Sequence, residues 1–438
     1  MWTAVTERGP VEVRRPLWGA AGLLVLAAGL VALIRDVPVW NVAWYVPAWY
    51  GYLFILDAAI FARRGESFVG GRRRELVEML FWSLPFWFFF EAVNLVLRNW
   101  YYVFGYRSDW SGAAMAVFAY ATVLPACLFH EELLAAWGVF REKRCRPLPV
   151  RPSWPGLAVA GGIACVALPL LLPRVAFPLI WFAPIGLDGI NFRRHAPSLL
   201  EDLEEGHCGR LLRLLAGGLW AGIVWESVNF VARCKWIYTV PGFEEFKIFE
   251  MPLAGFFGFP VLAVGAFCFF SFVRSLPARS WWVAAVLLAG ASAAVEPLVV
   301  RETVRSQRPI LTELEGLGAA AAERLRLAGI PTPERLSRAA AREGIGSISA
   351  RTSLPGRLLA RAAGHADLSL HKGMGAARAA QLRACGVERV SDLSRYQPDA
   401  LWTRLAVCAA TLGQAPPRPA EVRVWVRAAQ ASGGRPAR

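Results

Sequence analysis

Nine stretches of the chain are apolar over lengths close to the ~20 residues that a helix needs to cross a ~30 Å hydrocarbon layer. They fall at 17–34, 38–61, 77–97, 112–138, 155–172, 175–192, 211–232, 251–274 and 281–300. The overall composition is 56% hydrophobic with a mean hydropathy of +0.39, and 17 of the 19 Trp precede residue 301. An ordinary soluble domain is excluded. The expected fold class is all-α: a polytopic transmembrane helix bundle of about 8–9 spans, followed by a helical C-terminal domain. The first run follows Arg14 and Arg15 and has no small-residue cleavage site before Arg35-Asp36. It reads as a retained anchor rather than a signal peptide. The shortest runs, 155–172 and 175–192, fit either two spans or one re-entrant hairpin.

Lys and Arg in the short loops set the orientation. "ARRGESFVGGRRRE" (62–75) and "REKRCRPLPVR" (141–151) are strongly basic, and Arg193, Arg194, Arg274 and Arg279 mark two more loops on the same side. That side is expected to be the cytoplasmic face of the plasma membrane, with the N-terminus on it. Nine spans then put the C-terminal domain outside, and eight keep it inside. Residues 1–300 carry 26 Lys/Arg against 22 Asp/Glu, whereas residues 301–438 carry 22 against 11. A near-neutral apolar body is thus joined to a basic module, the balance expected beside nucleic acid or an anionic membrane surface. The eight Cys are scattered without a C-x-x-C pair. They define no disulfide framework and no structural zinc site.

The apolar half reads as a duplication. A shift of 135 residues aligns Glu91 with Glu226, Asn94 with Asn229, Arg98 with Arg233 and Pro125 with Pro260. A shift of 131 aligns Asp57 with Asp188, Phe61 with Phe192 and Ser67 with Ser198. The predicted organisation is a first transmembrane repeat at 1–139, a basic loop at 140–154, a second repeat at 155–275, an additional membrane helix at 281–300, a linker at 301–310, a helical module at 311–430 and a disordered tail at 431–438. Two four-helix units of even span number point the same way, with a pseudo-twofold axis along the membrane normal.

Within "FFFEAVNLVLRNWYYV" (88–103), Glu91, Asn94 and Arg98 stand at i, i+3 and i+7, one stripe of a helix, and "IVWESVNFVARCKWIY" (223–238) repeats the stripe with Glu226, Asn229 and Arg233. Charges in a bilayer face inward and find partners. The stripes are therefore expected to line a polar cavity on the pseudo-twofold axis, with Glu91 and Glu226 across from each other. As an alternative, each Glu pairs with an Arg and the Asn fixes helix packing. "HEELLAAW" (His130, Glu131, Glu132) lacks a second His at i+4 and reads as an interfacial cluster pairing with Arg141 and Arg144, so no metal is expected. Asp57 and Asp188 precede basic loops, which predicts charge pairing there. Duplicated helical units with membrane carboxylates, a "W-x-Y" (Trp236, Tyr238) and a "G-x-P" (Gly258, Pro260) resemble the integral-membrane carotenoid cyclases and hydratases over roughly 60 residues per repeat. That resemblance implies Glu91 and Glu226 as catalytic acids acting on a polyene. The family's paired-acid "P-x-E-E" is absent, and "FPVLAV" (259–264) stands in its place.

The C-terminal module repeats at an offset of 57 residues: Gly316/Gly373, Gly318/Gly375, Ala322/Ala379, Leu325/Leu382, Gly329/Gly386 and Leu336/Leu393. The pattern G-h-G-x-x-x-A-x-x-L combines two Gly for a tight turn, a small Ala at a helix crossing and a core Leu. Residues 311–430 resemble a family of tandem helix-hairpin-helix-like domains of unknown function. In helix-hairpin-helix proteins, main-chain N–H groups after the turn bind a phosphate. The resemblance implies Gly316, Leu317 and Gly318 as binding positions, with Lys372, Gly373, Met374, Gly375 and Arg378 in the second copy. Glu313 and Glu315 beside the first turn repel phosphate, so the second hairpin is the competent one.

Three functions are compatible with these features. The first, preferred here, is an integral membrane protein that holds a tandem helix-hairpin-helix module, for nucleic acid or protein, at the lipid bilayer. The second is a membrane enzyme acting on an apolar isoprenoid-like lipid through the paired Glu. The third is a transporter with a site on the pseudo-twofold axis. No cofactor is expected, and the sequence leaves the oligomeric state open.

Overall fold

Apolar runs become helices because a backbone without water around it must satisfy its own amide groups. The computed structural model describes residues 16–37, 39–173, 177–240 and 247–433. Among them the fold is all-α apart from four short strands. It divides into two units. One comprises the chain up to Trp100 together with Trp110–Ala232 and Val240–Thr303; the other comprises Tyr101–Asp109, Arg233–Thr239 and the chain from Val304 onward.

In chain order, the first unit contains α1 (Leu17–Arg35), α2 (Tyr45–Arg64), α3 (Arg73–Leu97), α4 (Asp109–Tyr120) and α5 (Val123–Ala136) in tandem, α6 (Trp154–Leu171), α7 (Asp188–Arg193), α8 (Leu199–Glu204) and α9 (Gly209–Val231). A hairpin of β3 (Lys247–Ile248) and β4 (Met251–Pro252), α10 (Gly258–Arg274) and α11 (Ala278–Thr303) complete it. Strands β1 (Trp100–Val103), after α3, and β2 (Lys235–Tyr238), after α9, lead into the second unit. Eight of these segments are long and apolar enough to cross a membrane, as befits a multi-pass membrane protein. The most apolar windows of α3 and of Leu253–Arg274 are 56% buried, against 17% for α1, α6 and α11. The former make the centre of the bundle, and the latter present their side chains outward.

Residues 177–193 form a further helical segment of changing pitch. Phe177–Trp181 is a 3-10 turn, Ala183–Leu187 is π-helical, and α7 follows. Pro178 and Pro184 each withhold a main-chain donor from this segment. The span expected at 175–192 is therefore irregular; its first two residues lie outside the described residues. This segment packs closely on α6, where a Cβ on Gly162 would stand 2.5 Å from the Gly186 Cα. The α1–α2 contact uses the same device, since a Cβ on Gly22 would stand 2.6 Å from the Gly51 carbonyl oxygen.

The second unit holds α12 (Ala319–Leu327), α13 (Pro333–Arg342), α14 (Gly344–Thr352), α15 (Gly356–Leu370), α16 (Gly375–Ala384), α17 (Val390–Leu393), α18 (Pro398–Thr411) and α19 (Pro419–Ala431). It has two cores. Leu317, Leu325, Leu336, Ile348 and Leu359 centre the first, and Leu382, Val387, Leu393, Leu401 and Trp425 the second. Strands β1 and β2 pair with each other. Residues 304–307, within the segment expected as a linker, run parallel beside β1 through bridges Tyr102↔Val304 and Gly105↔Gln307. Tyr101, Val103, Ile237 and Val424 close a small core over this ribbon. Of the tail expected at 431–438, residues 434–438 lie outside the described residues.

One expectation is corrected here. Cys385 and Cys408 form a disulfide in the second core. No spacing motif announces the pair, because the two meet only once the helices around the second core have packed. A Cys385→Ser, Cys408→Ser protein is expected to lose about 3 kcal/mol from the stability of this unit, given the 23-residue separation. A lower urea midpoint for proteolysis between residues 311 and 433 would show the loss.

Candidate functional site

The chain must turn where α3 ends, and the polar residues of the first stripe make that turn. Arg98 caps the helix in a left-handed conformation (φ 54°), and its N–H still bonds the Asn94 carbonyl at 2.8 Å. The Asn94 side chain accepts from the N–H groups of Asn99 (2.8 Å) and Trp100 (3.3 Å) and donates to the Trp100 carbonyl at 3.0 Å. One buried carboxamide thus pairs three main-chain groups beyond the helix end. Glu91 Oε1 accepts from the indoles of Trp87 (3.1 Å) and Trp100 (3.2 Å). The alternative reading gave Glu91 an arginine partner; at Oε1 two indole donors stand there instead. Trp100 is consequently held by Asn94 through its backbone and by Glu91 through its ring, and β1 begins at this residue.

In the second stripe Glu226 and Asn229 are fully buried on α9, and the Ala232 N–H closes the helix on the Asn229 and Val228 carbonyls. Arg233 is half-buried. Trp225, beside Glu226, donates to the Tyr45 hydroxyl at 2.7 Å, and the Trp44 indole donates to the Val228 carbonyl at 3.2 Å, so α2 meets α9 here. At the 135-residue offset Trp87 corresponds to Gly222 and Trp100 to Lys235. Neither indole that binds Glu91 has a counterpart beside Glu226.

Asp57 and Asp188 cap the chain and do not pair with the basic loops as expected. Asp57 accepts from the Ser67 hydroxyl (2.6 Å) and from the N–H groups of Phe68 (2.9 Å) and Val69 (3.2 Å). Asp188 accepts from the N–H groups of Leu199 (2.8 Å) and Leu200 (2.9 Å). Gly70 N–H bonds Ser67 Oγ and Glu201 N–H bonds Ser198 Oγ, both at 3.0 Å. Every one of these main-chain bonds recurs at the offset of 131.

The "HEE" cluster is corrected in its partners. Glu131 pairs with Arg213 at 2.7 Å, and Glu132 with Arg64 and, at 3.0 Å, Arg72, rather than with Arg141 and Arg144. His130 is buried, with Nδ1 on the Ala126 carbonyl at 2.6 Å and Nε2 on the Tyr52 hydroxyl at 2.9 Å.

The two C-terminal turns superimpose in their bonding. Gly316 (φ 78°) and Gly373 (φ 72°) both need the left-handed region. The Leu317 N–H bonds the Leu314 carbonyl at 2.9 Å, and the Met374 N–H bonds the His371 carbonyl at 3.0 Å. Their surroundings differ. Gly316 and Gly318 are exposed, but Glu313 is paired with Arg107 at 2.8 Å, and Glu315 with Arg361 and, at 2.8 Å, Arg383. These arginines hold both carboxyls below the usual range. At the second turn Gly373, Met374 and Gly375 are buried. Gly373 lies against the Val103 side chain, Gly375 lies against Ser306, and the Ser306 hydroxyl donates to the Gly373 carbonyl. Arg378 is turned onto Gln381 and the Ala415 carbonyl, both at 2.7 Å. The sequence predicts the second hairpin as the one competent for phosphate; the structure covers its turn with the chain's own residues 103 and 306.

His365 couples the two hairpins, a role its sequence context did not advertise. Its Nδ1 accepts the Glu315 N–H and its Nε2 donates to the Ala376 carbonyl, both at 2.9 Å, which only the neutral ring can do.

The chain is therefore a multi-pass membrane protein with a C-terminal helical module. Residues 315–432 of that module match a family described as a domain of unknown function, DUF4332. Neither the curated proteins nor the solved structures contain a match to the chain.

Two outcomes follow. Asn94→Ala leaves three main-chain groups unpaired and is expected to cost about 2–3 kcal/mol, read as a lower aggregation temperature of the detergent-solubilised protein. Burial lowers the pKa of His365 below its ordinary 6.5, with Arg383 acting in the same sense and the Ala376 bond, Glu315 and Glu313 opposing. A lowered folded-state value means that the contribution is present above the unfolded pKa and is lost as pH falls through the folded one. His365→Phe should cost about 2 kcal/mol at neutral pH and flatten the acid-side loss below about pH 6.5, as urea midpoints of the second unit would record.

Proposed function

We propose that this is a nine-span membrane protein whose C-terminal domain stands on the extracytoplasmic face as a protein-binding module, built around loops of its own membrane half. The observation that carries the reading is the make-up of the second unit, in which residues 101–109, 233–239 and the chain from 304 onward fold together. A bilayer cannot thread a folded unit, so the chain crosses an even number of times between each pair of segments. Two spans, Leu253–Arg274 and α11, separate residue 239 from 304. Between 109 and 233 stand three long segments, Asp109–Ala136, α6 and α9, so the irregular helix at 177–193 supplies the fourth crossing. With α1, α2 and α3 the total is nine. The basic loops 62–75 and 141–151 then share the opposite face, the cytoplasmic one by the positive-inside rule. The Cys385–Cys408 disulfide supports the same assignment, since such bonds persist in oxidising compartments.

The helix-hairpin-helix resemblance allows nucleic acid or protein as the partner. A covered basic turn and an open turn flanked by Glu313 and Glu315 favour protein. The recurrence of the Asp57 and Asp188 caps, and the matching positions of β1 and β2 after the two stripes, support a duplicated membrane half. In this reading Glu91, Asn94 and Arg98, with Glu226, Asn229 and Arg233, fix the two helix ends from which the ribbon strands leave.

Reporters fused after Arg438 and after Leu276 test the topology. The expected result is an extracytoplasmic signal from the first and a cytoplasmic signal from the second. A cytoplasmic signal after Arg438 would falsify the proposal. The intact protein in nanodiscs is also expected to show no salt-dependent retention of duplex DNA; retention that weakens steeply with salt would restore the nucleic-acid reading.

A further inference from the structure

Cys145 and Cys208 belong to none of the features above. Cys145 lies in the basic loop after α5, and Cys208 is the residue that opens α9. A short antiparallel bridge, Arg144↔His207, brings the two segments together. Around it the Cys145 N–H bonds the Gly206 carbonyl at 3.0 Å, and the Cys208 N–H bonds the Lys143 carbonyl at 3.4 Å. The Cys208 thiol donates to the same Lys143 carbonyl at 3.5 Å. Both cysteines are free and partly exposed, whereas Cys127 and Cys268 are buried. Lys143, Arg144 and Arg146 stand exposed beside the pair.

We propose that Cys145 and Cys208 form a redox-active dithiol that closes to a disulfide on meeting an anionic low-molecular-weight disulfide such as oxidised glutathione. One cysteine sulfur, as thiolate, attacks the oxidant, breaks its S–S bond and releases one glutathione thiolate. The second cysteine sulfur then attacks the mixed disulfide and displaces the other. The two cysteines lose two electrons and two protons; the oxidant takes up both electrons, and the two departing thiolates take the protons. The exposed basic side chains draw an anionic oxidant to the site. Closure ties the loop after α5 to the start of α9, and α5 packs directly on α9. The topology above decides only which compartment supplies the oxidant; the pairing chemistry stands on this contact alone.

The test uses the full chain in isolated membranes, treated with oxidised glutathione, then denatured and labelled with a maleimide polymer. Six free cysteines label before oxidation. The expected result is four labels afterwards, a Cys145–Cys208 linked peptide by mass spectrometry, and return to six on reduction. Cys145→Ser and Cys208→Ser proteins should each start at five and stay there, apart from glutathione adducts. Six labels after oxidation of the wild type would overturn the proposal, and so would a stable glutathione adduct on either cysteine without the internal link. Protection removed by a chelator rather than a reductant would overturn it in favour of a metal. Because the label count is indifferent to sidedness, a failed topology and a failed dithiol remain distinguishable.

Discussion

Main-chain hydrogen bonds between residues 102–105 and 304–306 join pieces of chain some two hundred positions apart, and the second unit is assembled round that seam. The Arg305 N–H reaches the Tyr102 carbonyl at 2.8 Å, and the Gly105 N–H reaches the Ser306 carbonyl at 2.9 Å. Ser306 does a second task with its hydroxyl, accepting the Phe104 N–H at 3.2 Å while donating to Gly373. Arg305 pairs with the buried Glu421 at 2.8 Å, and Arg107 with Glu313, so both hairpins are tied to the same short stretch. Each neutral bond is worth about 1 kcal/mol net, and their value lies in specifying one register. Between β2 on one side and residues 304–307 on the other, β1 presents no open edge, which for a four-residue strand removes the usual liability of exposed amide groups.

At the end of α3 the Asn94 side chain pairs the N–H groups of Asn99 and Trp100 and the Trp100 carbonyl, and Glu91 holds the Trp100 indole. The surroundings of the two stripes differ. Phe259 fills the space that Gly222 leaves open, where the first half has Trp87, and Tyr45 takes the indole proton of Trp225.

Much of this was legible beforehand, and the boundary is physical. Long apolar runs are additive signals, and they carried the all-α fold class and eight membrane-length helices. What stayed hidden depends on single tertiary contacts. A four-residue strand has no period to read, so β1 and β2, just beyond the spans expected at 77–97 and 211–232, went unread. Asp57 beside "ARRGES" looked like a charge partner because sequence shows neighbouring charges but not main-chain N–H groups turned inward. Gly373 announced a tight turn correctly; that Val103 would cover it could not be read from either residue.

The composition of the second unit also sets a schedule for making the protein. Its first strand emerges with residue 101 and its second with residue 235, yet neither has its final neighbours until residues 304 and beyond have been synthesised. The first strand waits through the synthesis of some two hundred residues, and the second through more than sixty, before that segment arrives. Long-range closure of this kind is slow, and the waiting state exposes surface that aggregates. Loss of the C-terminal domain would therefore leave more than a protein lacking one module. It would strand the membrane half in its intermediate form, with an uncovered ribbon for the cell's folding surveillance to find.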